Sequence, residues 1–210
     1  MPESTQQGEN DVLLVVDVQN DFCTGGDEVV PVINRLARIF PHVILTQDWH
    51  PEGHQSFASS HDGKKPFEIF KASYGDQVLW PDHCVQGTSG ADFHPALQLA
   101  GGELILRKGF RREIDSYSAF YENDKKTATG LAGYLLERCI KRLFITGLAT
   151  DFCVFYSAVD GKSLGFEVFV IEDGCRGIDM ENSVKAAWEM MEKAGVKRIG
   201  ESEIPDTATA

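Results

Sequence analysis

Four side chains fit for acid–base and nucleophilic chemistry, Asp17, Asp48, Lys108 and Cys153, stand at or just beyond the ends of short apolar runs. Cys153 lies in the stretch TGLATDFCV, residues 146–154. There the run Leu143-Phe144-Ile145 gives way to Thr146-Gly147 and then to a helix predicted to begin near Asp151. A cysteine in a first helical turn faces unpaired backbone N–H groups and the positive end of the helix dipole, and both favour thiolate over thiol. Asp17 closes the run Val12–Val16, at a position where an uninterrupted core strand would carry another Val. A thiol, a carboxylate and an ammonium on one rim are the parts of covalent hydrolysis: a nucleophile, a base and a fixed positive charge.

A second chemistry shares this rim. Asp48-Trp49-His50 places two potential metal ligands two residues apart, on one side of a chain that is still extended. His83, in Trp80-Pro81-Asp82-His83-Cys84, offers a third, and His54 is a further candidate. A carboxylate and two imidazoles with open positions suit one divalent transition ion, zinc first, with iron or manganese as alternatives. The stronger His-Glu-x-x-His pattern does not occur.

The elements that must hold these groups follow from hydrophobic pattern. Val12–Val16, wholly apolar and rich in β-branched residues, predicts a strand covered on both faces. Helical spacing over Glu28–Phe40 puts Val29, Val32, Ile33 and Leu36 on one face, with Asp27 as N-cap and Pro31 tolerated in the first turn. Further strands are expected at Val43–Thr46, Leu104–Leu106, Leu143–Ile145, Glu167–Ile171 and Val196–Ile199. Further helices are expected at about Ala128–Ile140, Asp151–Leu164 and Asn182–Ala194. From Trp49 to Asp92 periodicity is lost, yet Phe57, Phe67, Phe70, Tyr74 and Trp80 argue for an ordered, functional loop. Strands alternating with helices define a single three-layer α/β domain, with a six-stranded, mainly parallel sheet and helices on both faces. In such sheets ligands bind in the crevice outside the carboxyl ends of the strands, where the reactive groups collect. Residues 1–10 read as a leader, 11–202 as the domain and 203–210 as a tail.

Composition narrows the field. A chain of 210 residues, 42% hydrophobic and 25% charged, suffices for one well-packed core without staples. A formal net charge of −12 excludes nucleic acid and anionic membrane surfaces as partners. No apolar run approaches the roughly 18 residues of a membrane span, and Met1–Asn10 lacks the apolar core of a signal peptide. Five cysteines without framework spacing predict reduced thiols and a cytoplasmic location. Neither glycine-rich nucleotide fingerprint occurs, nor a G-x-S-x-G elbow, so nucleotide binding and serine hydrolysis have no support.

Taken together, six stretches resemble the nicotinamidases, a branch of the isochorismatase-like cysteine hydrolases. They are Asp17–Gly26 (DVQNDFCTGG), Thr46–Pro51 (TQDWHP), Trp80–Gln86 (WPDHCVQ), Asp115–Phe120 (DSYSAF), Gly147–Val154 (GLATDFCV) and Asp173–Gly177 (DGCRG). The Trp-Pro-Asp-His-Cys block is the most discriminating, and the likeness runs from about Val12 to Ile199. The resemblance implies the strand order 3-2-1-4-5-6 and a triad of Cys153 as nucleophile, Asp17 as base and Lys108. It implies metal ligands at Asp48, His50 and His83, with His54 a possible addition. Phe22, Trp80 and Tyr117 would line the ring pocket. A cis peptide is implied near Ala149–Thr150, with the N–H groups of Ala149 and Cys153 as oxyanion hole. The implied reaction is hydrolysis of nicotinamide to nicotinate and ammonia through a thioester, within NAD salvage, and of pyrazinamide as well. A monomer or small homo-oligomer is expected. Two alternatives stay open: a related cysteine amidase acting on a carbamoyl or ureido substrate, and a non-catalytic binding module. In one place the sequence departs from the family pattern. Gly25-Gly26 run straight into Asp27-Glu28-Val29-Val30, where the family carries several more residues bordering the pocket, which implies a shorter lip.

Overall fold

The computed structural model describes residues 7–98 and 100–205, so the outer parts of the expected leader (1–6) and tail (206–210) lie outside the described residues. Strands β1 (Asp11–Val16), β2 (His42–Asp48), β5 (Gly102–Lys108), β6 (Arg142–Leu148), β7 (Glu167–Arg176) and β8 (Lys197–Ile199) form one parallel sheet, ordered β5-β2-β1-β6-β7-β8. Numbered within that sheet alone, the order is the expected 3-2-1-4-5-6. All six residues of β1 are buried, because helices cover both faces of this central strand. Leu131 and Leu135 of α2 (Leu131–Glu137), Ala158 of α3 (Phe155–Ser163) and Trp188 and Met191 of α4 (Ser183–Lys193) pack on one face with Val12, Leu14 and Val16. Val29, Val30, Ile33 and Leu36 of α1 (Val29–Leu36) pack on the other with Leu13 and Val15.

Several boundaries differ from expectation for local reasons. α1 starts at Val29, and neither Asp27 nor Glu28 caps it with a side-chain hydrogen bond, so the expected Asp27 cap is not formed. The helix then loosens into a turn that reaches Phe40, whose N–H bonds to the Leu36 carbonyl at 3.2 Å. α2 is shorter than Ala128–Ile140, since Gly130 adopts φ 97° before it and Cys139 φ 60° after it. The stretch from Trp49 to Asp92 is ordered, but it holds a hairpin that the pattern does not suggest, β3 (Ile69–Ala72) and β4 (Gly75–Val78). At the other end Ile204 is buried in the second core cluster, so packing continues past residue 202. No helix among the described residues is long and apolar enough to cross a membrane, and all five cysteines are unpaired.

Candidate active site

The reactive groups meet where the strand-end rule places them. Lys108 is the last residue of β5, Asp48 the last of β2, and Asp17 follows β1 directly in a left-handed conformation (φ 48°). Cys153 sits past β6 in a π-helical turn, Thr150–Val154, that opens into α3. Gly147 lets β6 reach this turn. Its φ is 117°, and a Cβ there would come within 2.0 Å of the Val16 carbonyl oxygen, so no other residue fits. A cis peptide joins Leu148 to Ala149, one bond earlier than expected.

Lys108 ties the site together. Its ammonium donates to Asp48 Oδ1 at 2.6 Å, to the Ser116 carbonyl at 2.9 Å and to Cys153 Sγ at 3.4 Å. Those bonds use its three N–H donors. Asp17 Oδ2 lies 2.8 Å away as an ion pair without an aligned hydrogen bond, while Asp17 Oδ1 accepts from Thr46 Oγ1 at 2.6 Å. The acid–base atoms of Asp17, Asp48 and Cys153 all lie within 4.8 Å of one another. Asp17 Oδ2 therefore faces both the ammonium and the thiol.

Burial governs the charges here. It opposes the Lys108 ammonium, but the carboxylates of Asp17 and Asp48 outweigh it and hold that proton well above the usual lysine range. Burial pushes Asp17 up, with Lys108 offsetting part of the rise and Asp48 adding to it. The same burial, with the Asp17 and Asp48 carboxylates, drives the Cys153 thiol well above its ordinary value, and Lys108 offsets only part of that. Burial and the two carboxylates thus oppose the thiolate that the helix start favours, and Asp17 stands beside the thiol as a base.

Beside this group, two imidazoles converge on Asp48 Oδ2. His50 Nδ1 donates to the Gly109 carbonyl at 2.9 Å and His83 Nδ1 to the Pro81 carbonyl at 2.8 Å. A carbonyl can only accept, so each ring carries a proton on Nδ1 and turns Nε2 inward. Those Nε2 atoms lie 3.3 Å (His50) and 3.7 Å (His83) from Asp48 Oδ2. His50 Nε2 is buried without a hydrogen-bond partner, and the ligand atoms of Asp48, His50 and His83 fall within 4.8 Å of one another. An orphaned buried nitrogen facing a carboxylate and a second imidazole fits a divalent transition ion, and the residues present pass that test. Gly109 backs the His50 ring so closely that a Cβ would sit 2.4 Å from it.

The possible fourth ligand, His54, is placed elsewhere. Its Nε2 donates to the Arg111 carbonyl at 2.9 Å, and its Nδ1 accepts from the Ser56 N–H at 3.2 Å with Ser56 Oγ at 2.7 Å. Although His50, His54 and Asp115 also cluster within 4.8 Å, both His54 nitrogens are committed, and its ring packs 4.2 Å behind His50. It braces a neighbour's ring and has no lone pair left for an ion.

These groups open into a cavity of about 520 Å³ lined by Asp48, His83, Ala149 and Cys153 together with Phe22, Trp80 and Tyr117. Trp80 Nε1 and Gln77 Nε2 both donate to the Tyr117 hydroxyl, at 3.1 and 2.9 Å, which locks two walls together. Phe152 stands edge-on to Trp80 at 4.8 Å and completes the aromatic enclosure. Three contributors are not evident from the sequence. Ser116 acts only through its carbonyl, and Phe152 looks like an ordinary helix residue. Gln19 bonds through its side chain to the backbone of Asp48, at 2.8 Å in both directions.

A parallel sheet with a buried Cys–Asp–Lys cluster at its carboxyl edge and a Asp–His–His cluster beside it defines a class of cysteine hydrolase. The family model described as the isochorismatase domain matches residues 11–202, and the chain belongs to that family. Within it, the chain is 52% identical over 206 residues to the nicotinamidase of Acinetobacter baylyi, covering 95% of this chain and 96% of that one. The solved structure of PnC1 from L. infantum in complex with nicotinate superposes with a TM-score of 0.83 at 35% identity, covering 96% of this chain and 98% of the other. The pyrazinamidase of Pyrococcus horikoshii in complex with zinc gives a TM-score of 0.74 at 32% identity, covering 91% and 99%.

Proposed function

We propose that the protein is a metal-dependent cysteine amidohydrolase that converts nicotinamide to nicotinate and ammonia, and pyrazinamide to its acid, as a step in NAD salvage. The observation that carries this is the placement of Lys108 Nζ, 3.4 Å from Cys153 Sγ and in contact with both Asp17 and Asp48. One ammonium thus links a nucleophile, a base and a metal carboxylate. The nicotinamidases and pyrazinamidases among its relatives support the substrate, and the unpaired cysteines support a cytoplasmic location.

Amide hydrolysis through a thioester replaces one difficult step with two easier ones. Asp17 takes the proton of Cys153, and Lys108 stabilises the thiolate as it forms. Sulfur attacks the carboxamide carbon, and the charge that develops on oxygen is met by the N–H groups of Ala149 and Cys153, each worth about 3–4 kcal/mol in the transition state. Asp17 returns its proton to the amide nitrogen, the C–N bond breaks and ammonia leaves a thioester on Cys153. Water, deprotonated by Asp17, then attacks the thioester, and the proton returns to sulfur as the acid departs. The burial that raises the carboxyl of Asp17 suits it to both roles. Asp48, His50 and His83 would hold the divalent ion, with zinc favoured by the zinc-bound pyrazinamidase among the relatives and iron or manganese as alternatives. A divalent ion held there would supply Lewis-acid chemistry toward a pyridine nitrogen, orienting and polarising the ring. Phe22 and Trp80 hold the faces of that ring, and Tyr117 fixes Trp80.

The test is ammonia release from nicotinamide and from ureido and carbamoyl compounds, before and after chelation and with zinc, manganese or iron restored. Turnover of nicotinamide that falls with chelation and returns with metal is expected. Preference for a ureido substrate, or activity indifferent to chelation, would overturn the reading.

A further inference from the structure

The product of the proposed reaction is an anion, and the cavity it must leave is rich in carboxylates. Asp21, Asp48, Asp82 and Asp115 all border it, in a chain of formal charge −12. Among the described residues Arg176 is the only Arg or Lys that lines this cavity. Lys108 lies beneath, with its donors committed to Asp48, Ser116 and Cys153.

Arg176 is the last residue of β7, paired in register with Leu148, which precedes Ala149 in the turn that carries Cys153. Its Nη1 donates to the Cys175 carbonyl at 2.7 Å and its Nε to the Glu28 carboxylate, while its Nη2 makes no hydrogen bond among the described residues. The Arg176 and Glu28 side chains are 40% and 59% exposed, so the pair stands where the cavity meets solvent. Glu28 itself does not border the cavity. It reaches the guanidinium from the start of α1, on the segment that follows Gly25-Gly26.

We propose that Arg176 forms a carboxylate-binding subsite at the cavity mouth that receives the acid product, and that Glu28 competes with the product for it. The proposal rests on the nicotinamide reading above. A neutral amide can accept only a hydrogen bond from the guanidinium, whereas its acid adds full ion–ion attraction in a shorter, stronger bond, so the residue discriminates product from substrate. A purely structural role, with the ion pair tying β7 to α1, behaves differently. Either single substitution breaks the same pair and would move every constant in one direction.

The experiment measures, on the full-length metal-loaded enzyme, the ratio of the product-inhibition constant for nicotinate to the KM for nicotinamide. Arg176→Gln should raise this ratio about fivefold, as expected for losing a partly exposed charged hydrogen bond. Glu28→Gln, on the surface and outside the cavity, should lower it about twofold, because the guanidinium loses its competitor. Ratios that stay at the wild-type value in both variants, or that shift in the same direction, overturn the subsite. An unmodified enzyme that releases no ammonia overturns the reaction and the subsite together, whereas normal turnover with unmoved ratios overturns the subsite alone.

Discussion

Gln19 is the positioning residue whose loss should be felt most clearly away from the reacting atoms. β1 and β2 stay in register as far as Val15 and Leu45, after which the chain turns off at Asp17. The side chain of Gln19 then takes the place of the departed strand. Its Oε1 accepts from the Asp48 N–H at 2.8 Å, and its Nε2 donates to the Asp48 carbonyl at 2.8 Å and the Ala91 carbonyl at 2.9 Å. Gln19→Leu keeps the volume and removes all three bonds. Ala91 retains the Gln47 side chain as a donor at 2.9 Å, so the N–H and C=O of Asp48 are the groups left without these partners. Each buried orphan costs about 1–3 kcal/mol, which places the destabilisation at about 2–6 kcal/mol. That is a large share of the 5–15 kcal/mol typical of a domain. Asp48 also loses its anchor, so metal affinity should fall about 10–100-fold, as for other outer-shell partners. Urea unfolding reads the first effect and competition with a chelator the second. A stability loss under about 0.5 kcal/mol together with unchanged metal affinity would refute the reasoning.

Three further outcomes follow from the same geometry. Lys108→Met leaves the buried Asp17 and Asp48 carboxylates facing each other without their cation, and unfolding should show a loss of about 3–5 kcal/mol along with inactivity. Tyr117→Phe removes the acceptor shared by Trp80 and Gln77, so stability should fall by about 1–3 kcal/mol and the KM for nicotinamide should rise, while metal content stays whole. His83→Ala leaves Asp48 and His50 as a two-ligand site, and metal content and activity should drop together when both are measured on one preparation.

The sheet was legible because its strands are buried on both faces, and a run such as Leu13-Leu14-Val15-Val16 has no other stable place. The rim residues were legible for the same reason, since the ends of those runs fix where the crevice lies. The hairpin β3–β4 was not. Ile69 is exposed, Lys71 and Asp76 point to solvent, and the one fully buried polar residue, Gln77, is held by hydrogen bonds that leave no periodic signal. The opposing influences on Cys153 were only half legible, because a helix start is local, whereas burial and the carboxylates of Asp17 and Asp48 arrive from distant strands. His54 could not be told from His50 by spacing. The difference lies in acceptors supplied by residues 111 and 114, which occupy the nitrogen of one ring and not the other.

The central claim is that Cys153 performs the attack while Asp17 and Lys108 manage its proton and charge. Its most direct test is ammonia release from nicotinamide by metal-loaded Cys153→Ala beside the unmodified protein, with unfolding and metal content checked on the same samples. Abolished ammonia release in a variant that still folds and still holds its metal is the expected result. Near-normal release by that variant would contradict the account.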